Sequence, residues 1–185
     1  RRLKKLEKME GFAFRSVTAP EEITGAFERF AFLHEKRWEN DGGSEATGLP
    51  QLMAFHRAVV GGLAAQNLVR FDELWVEGEC RASVYGLDNG GTFFYYNAGY
   101  DLEWADKSVG MVLIGCSIRA AVERGNTVYD FLRGEENYKF DWSNTEVKLV
   151  SVRLNRPGMI AAIDRFRESA WHYSRDAAKS LLPVE

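Results

Sequence analysis

Apolar and polar residues alternate over residues 12–17, after which the period lengthens and Ile23, Phe27, Phe30, Leu33 and Trp38 recur at helical spacing. Alternation puts successive side chains on opposite faces of a strand, whereas a period of three to four lines one face of a helix. The first pattern predicts a strand over 12–17. The second predicts an amphipathic helix of about five turns, opened by Thr18 and Glu21 at capping-box spacing with Pro20 in the first turn. The run Glu39-Asn40-Asp41-Gly42-Gly43-Ser44-Glu45 is polar and glycine-rich and predicts a surface loop. Helical spacing returns from Pro50 through Leu52, Phe55, His56, Val59, Val60 and Leu63, with an end expected near Asn67.

Three β segments follow, at 68–77, 80–87 and 92–100. The turn signals Glu77-Gly78-Glu79 and Asp88-Asn89-Gly90-Gly91 separate them and predict an antiparallel meander. Residues 108–124 are apolar on nearly every side, through Val109, Met111, Val112, Leu113, Ile114, Ile118 and Val122, and stop at Gly125, as a helix buried on most of its surface would. Thr127-Val128-Tyr129-Asp130-Phe131-Leu132-Arg133 has the β-branched and aromatic content of a buried strand. A further strand at 147–154 and a last helix from Pro157 complete the predicted order.

A chain of 185 residues, 45% of them hydrophobic, can bury one substantial core, so one domain is expected over residues 12–185. Residues 1–11 read as a linker or helical extension. A formal net charge of -3 argues against generic phosphate-backbone binding, and nucleic acid is not the expected partner. Cys80 and Cys116 lie far apart with no CxxC pattern, which reads as reduced core thiols and a cytoplasmic protein. No window reaches the roughly 20 apolar residues of a membrane helix. His34, His56 and His172 are too scattered for a metal site, and no metal is expected.

Five strings sharpen the picture: Lys36-Arg37-Trp38, Glu73-Leu74-Trp75-Val76-Glu77-Gly78, Tyr95-Tyr96-Asn97-Ala98-Gly99-Tyr100-Asp101, Tyr129-Asp130-Phe131-Leu132-Arg133-Gly134, and Tyr138-Lys139. In this order, over roughly residues 20–155, they resemble the acetyltransferase domain of cellulose-biosynthesis CelD-type proteins, a GNAT-superfamily branch related to the FemAB peptidoglycan aminoacyltransferases. The resemblance implies an α/β (α+β) acyl-CoA N-acyltransferase fold with a mixed central sheet and helices on both faces. It further implies a small-molecule, glycan or peptide acceptor of the cell envelope or of polysaccharide metabolism. Acetyl-CoA or another acyl-CoA would be the co-substrate, with FemAB-like use of aminoacyl-tRNA as the alternative donor. Because FemAB-like proteins pair two such domains, the chain is expected to be the C-terminal half of a longer two-domain protein. The alternative of a noncatalytic binding half then stays open, and a homodimer is the assembly suggested by analogy.

Acyl transfer needs a proton acceptor, oxyanion donors and a way to expel the leaving group. Asp130 shares strand parity with Val128 and Leu132 and is expected among apolar neighbours, as a general base or substrate anchor, or else as an ion-pair partner of Arg133 or Lys139. Arg133, at the carboxyl end of that strand, suits a bound phosphate or carboxylate, or simply water. The resemblance casts Tyr138 as a hydrogen-bond or proton donor and Lys139 as a cation at the cleft. It also places Asn97 and Asp101 where a strand leaves its neighbour and frees backbone groups for substrate. Arg37 and Trp38 stand before the flexible loop and could meet the acceptor. Ser108, Val109 and Gly110 hold the place of the family's pyrophosphate loop, with one glycine where that loop has more.

Overall fold

The computed structural model describes residues 1–38, 50–150 and 152, and divides into two units, 1–144 and 145–185. The expected loop at 39–45 and the expected helix from Pro157 lie outside the described residues. In the second unit, residues 145–150 and 152 form neither helix nor strand. The strand expected over 147–154 is therefore not found in its described part, which has no ladder partner among the described residues.

The first unit runs α1 (Arg2–Leu6), β1 (Ala13–Val17), α2 (Pro20–Trp38), α3 (Pro50–Ala64), β2 (Val69–Val76), β3 (Glu79–Asn89), β4 (Thr92–Tyr100), a 3-10 turn (Leu102–Lys107), α4 (Val109–Glu123), β5 (Val128–Asp130) and α5 (Asn137–Phe140). Its five-stranded sheet has the order β1-β2-β3-β4-β5, antiparallel except for the parallel pair β4 and β5. Local chemistry closes the meander. Glu77-Gly78 and Gly90-Gly91 both take left-handed φ at each position, as a two-residue hairpin turn requires. Asn67 and Gly125 end α3 and α4 in the same region, and the Leu68 and Asn126 amides reach back to the carbonyls of Leu63 and Ala121.

Helices cover both faces. On one, Leu6 of α1 and Val109, Val112 and Leu113 of α4 pack on Leu74, Val84, Phe93 and Tyr95 of the sheet. On the other, Ile23, Phe27 and Phe30 of α2 and Val60 of α3 pack on Phe71 and Tyr85. Fully burying side chains of this size contributes roughly 1.5–3 kcal/mol each. Two glycines set how closely the layers meet. Gly86 leaves room for the Phe93 ring, and at Gly99 the α2 backbone crosses β4 so closely that a Cβ would stand 2.7 Å from the Leu33 carbonyl carbon.

Two departures from expectation concern the strands beside the cleft. First, β5 is three residues long instead of seven. Its ladder covers only Thr92 with Val128, Phe93 with Tyr129 and Phe94 with Asp130. Beyond it the chain turns away at Leu132, whose φ is 57° and whose N–H donates to Asp130 Oδ1 at 2.7 Å. Asp130 also does not share a buried face with Val128 and Leu132: these are 50% and 41% exposed, and the core side chains are the flanking Tyr129 and Phe131. Second, β4 carries a bulge. Tyr85 opposes Asn97 and Gly86 opposes Tyr95, so Tyr96 has no partner. Tyr95 before the bulge and Ala98 and Tyr100 after it face α4, leaving Tyr96 and Asn97 consecutive on the α2 and α3 side.

Candidate active site

Because β5 ends at Asp130, β4 continues from Tyr95 to Tyr100 with no strand on that edge among the described residues. A cleft of about 220 Å³ opens there, between the bare edge, the last turn of α2 and the start of α4. Its lining includes Arg37, Tyr95, Tyr100, Ser108, Gly110 and Tyr138. The guanidinium of Arg37 lies 4.9 Å from the centre of the Tyr100 ring. Gly110 sits under that ring, where a Cβ would approach a ring carbon to 3.2 Å. The single glycine of this stretch is thus explained by packing against Tyr100.

Ser108 takes φ 58° and ψ 38°, and α4 begins at the next residue. The N–H groups of Val109, Gly110 and Met111 have no acceptor within the helix and form its positive end. Several contacts hold α4 in place. Its buried Ser117 donates to Asp72 Oδ2 at 2.5 Å and meets the Tyr129 hydroxyl at 3.0 Å, while Ser16 of β1 donates to the other Asp72 oxygen. Asp72 is fully buried, and burial pushes its carboxyl up against the downward pull of both hydroxyls.

Tyr138 comes from α5 and packs against Tyr95 and Phe131. Burial raises the pKa of Tyr138 and raises that of Tyr95 further, and a hydrogen bond joins the two phenols. Both are phenols, not phenolates, at neutral pH. Tyr95 donates to Tyr138, which leaves the Tyr138 proton as the donor this pair can offer in the cleft.

The structure gathers Arg37, Ser108, Val109, Gly110 and Tyr138 around this one cleft. The other sequence candidates lie elsewhere. Lys139 is 7% exposed, and its ammonium donates to the Arg133 carbonyl at 2.9 Å and pairs with Glu136 at 2.7 Å, so it braces the 133–139 loop. The Arg133 side chain is exposed, and Asp130 caps the turn into that loop. Asp101 is buried and meets Lys36 and Arg81, each at 3.0 Å, and the Glu103 N–H. Burial pushes its carboxyl up, and those hydrogen bonds outweigh it and hold it below the usual range. Asn97 accepts the Ala98 N–H at 2.8 Å and hydrogen-bonds His34. Trp38 closes α2. Tyr95 and Tyr100 are lining residues that composition did not single out. The signal for them is the switch in β4 parity, from Phe93 and Tyr95 to Ala98 and Tyr100.

Cys80 and Cys116 are both free thiols, half-buried and buried. Among the described residues, no cluster of His, Cys, Asp and Glu could hold a metal ion, and no helix is long and apolar enough to cross a membrane.

A family model described as an acetyltransferase (GNAT) domain matches residues 1–140. No curated protein matches the sequence. Solved structures share the fold at low identity. An aminoglycoside acetyltransferase from an uncultured soil metagenomic sample, in complex with sisomicin, aligns at 16% identity over 79% of this chain and 97% of its own, with a TM-score of 0.54. A predicted acetyltransferase with acetyl-CoA from Clostridium acetobutylicum aligns at 9% over 77% and 96%, TM-score 0.55. An aminoglycoside N-acetyltransferase in complex with CoA aligns at 13% over 81% and 99%, TM-score 0.53.

Proposed function

The chain belongs to the acetyltransferase (GNAT) domain family, and from that premise we propose that it transfers the acetyl group of acetyl-CoA to a primary amine of an amino sugar. The observation that carries this reading is the cleft itself, in which an unpaired strand edge, a helix N-terminus and an arginine converge. The Val109, Gly110 and Met111 amides and the Arg37 guanidinium suit a pyrophosphate. The β4 edge from Tyr95 to Tyr100 offers N–H and C=O groups at strand spacing, which suits the two amides of a pantetheine arm. An amine attacking the thioester carbonyl would place negative charge on oxygen beside that edge, where backbone N–H donors stabilise it. Tyr138, protonated through burial, is the donor we assign to the departing thiolate.

The acceptor class rests on two supports. Similar solved structures include enzymes named for aminoglycosides, which are amino sugars. The Tyr129–Gly134 and Tyr138-Lys139 strings also resemble the CelD-type branch, which directs the search to glycans of the cell envelope. Half-buried Asp130, the last residue of β5, and exposed Arg133 beyond it are the charges we assign to that acceptor. Lys139 we assign to holding their loop.

Calorimetric titration of acetyl-CoA and CoA into the purified chain tests the reading, with Arg37→Ala as the companion variant. Saturable micromolar binding, weakened at least about tenfold by the substitution, is expected. Thiol release with amino sugars should then follow. Absence of binding overturns the reading and favours an aminoacyl-tRNA donor, as in FemAB proteins, or a binding half that needs a further domain.

A further inference from the structure

The bulge in β4 turns Tyr96 to the face opposite the cleft lining, one residue from Tyr95 on the same bare edge. Tyr96 is 42% exposed, and its hydroxyl lies 3.4 Å from His56 Nε2. His56 is 7% exposed and enclosed by the rings of Phe27, Phe55 and Tyr85, and its Nδ1 has no hydrogen-bond partner among the described residues. A packing histidine needs no polar neighbour that reaches solvent. Here the polar contact among the described residues is a phenol standing half in water where the sheet has opened.

We propose that Tyr96 and His56 form the proton-accepting pair for the amine, with Tyr96 touching the acceptor nitrogen and His56 taking the proton through it. The inference rests on the acetyl-transfer reading and adds where the acceptor stands and in which protonation state it arrives. An amino-sugar amine is an ammonium ion at neutral pH and cannot attack until it loses a proton. That proton passes to the Tyr96 oxygen as the phenol proton moves to His56 Nε2. The freed nitrogen lone pair forms the C–N bond, the C–S bond breaks, and sulfur takes the electron pair. The second nitrogen proton ends on sulfur by way of Tyr138, and His56 returns the first to water.

Burial lowers the His56 pKa, so the ring is neutral and able to accept at pH 7. The titratable groups facing it are Tyr85 from β3 and Tyr96 from β4. On the helix side, Arg57 of α3 is paired with Glu28 of α2 at 2.6 Å, at the surface. No carboxylate stands against the ring among these neighbours, so the imidazolium is short-lived and the proton leaves readily.

The test measures thiol release from acetyl-CoA with two small acceptors, methylamine, an ammonium ion at pH 7, and hydroxylamine, already neutral there. Tyr96→Phe and His56→Gln should each slow the methylamine reaction by about 10²-fold, far more than they slow the hydroxylamine reaction. The methylamine deficit should shrink as pH rises. Equal loss with both acceptors, or loss with neither, overturns the pair. Should His56→Gln fold poorly, the exposed Tyr96→Phe decides alone. Thiol release by the native chain with neither acceptor, or no acetyl-CoA binding, instead overturns the acetyl-transfer reading.

Discussion

Gly99→Ala tests whether the crossing of α2 over β4 governs both stability and the cleft. A Cβ at this position would stand 2.7 Å from the Leu33 carbonyl carbon and 2.8 Å from His34 Cα, with the His34 nitrogen closer still. Carbon atoms rest at about 3.5–4.0 Å, so one layer must retreat by roughly 1 Å. All three atoms are backbone inside a 19-residue helix, and no side-chain rotation relieves them. Overpacking of this kind costs about 1–3 kcal/mol, and the upper end applies because a whole helix must move. Stability should therefore fall by about 3 kcal/mol, or roughly 10²-fold in the folding equilibrium.

The same shift carries Arg37, one turn beyond His34, away from Tyr100, so acetyl-CoA should bind more weakly. Urea unfolding of Gly99→Ala beside Gly62→Ala checks the argument. Nothing lies within 4 Å of a Cβ at Gly62 on α3, and that change should be neutral or stabilise by up to about 1 kcal/mol. A Gly99→Ala midpoint within the error of the native one would refute the reasoning.

The remaining predictions concern single side chains. Burial, with the nearby Arg37 charge, lowers the His34 pKa to about 4 from 6.5, the Asn97 hydrogen bond opposing both. The folded state thus resists a proton that the unfolded chain takes up. This stability is complete above pH 6.5 and is lost as pH falls toward 4, by about 3 kcal/mol. Unfolding midpoints of the native chain and His34→Asn across that window should converge as the pH drops. Tyr138→Phe should lower kcat by about 10²-fold with acetyl-CoA affinity unchanged. That loss should shrink for an acetyl thioester of a more acidic thiol, and an equal loss with both thioesters would rule out a leaving-group role. Lys139→Ala should destabilise by about 1–2 kcal/mol, because it removes the buried ammonium that donates to the Arg133 carbonyl. An unchanged thermal midpoint would refute that bracing role.

What could be read from the sequence is what local chemistry decides. Glu77-Gly78, Gly90-Gly91 and Gly125 announce their turns because left-handed φ is written in residue type. The extent of β5 is not local. Tyr129, Phe131 and Leu132 have strand composition, yet a strand lasts only as long as its ladder, and this one stops at Asp130. The same limit misplaced Asp130, whose burial was inferred from parity with Val128 and Leu132. The contact between Tyr96 and His56 is likewise not local, because the β4 bulge that turns Tyr96 toward α3 has no mark in composition. Arg37, Ser108, Gly110 and Tyr138 could be joined only through family resemblance, since no periodicity links positions so far apart.

The crossing at Gly99 also bears on the order in which the molecule assembles. Hairpins with two-residue turns join β2 to β3 and β3 to β4, contacts that close quickly. Docking α2 on β4 must instead close a long loop, since the Lys36–Asp101 pair spans 65 residues. The meander is therefore the expected nucleus, with the wall bearing Arg37 expected to dock after the main barrier. Losing that wall should speed unfolding more than it slows folding. A partly opened molecule should then keep its sheet after the cleft has come apart.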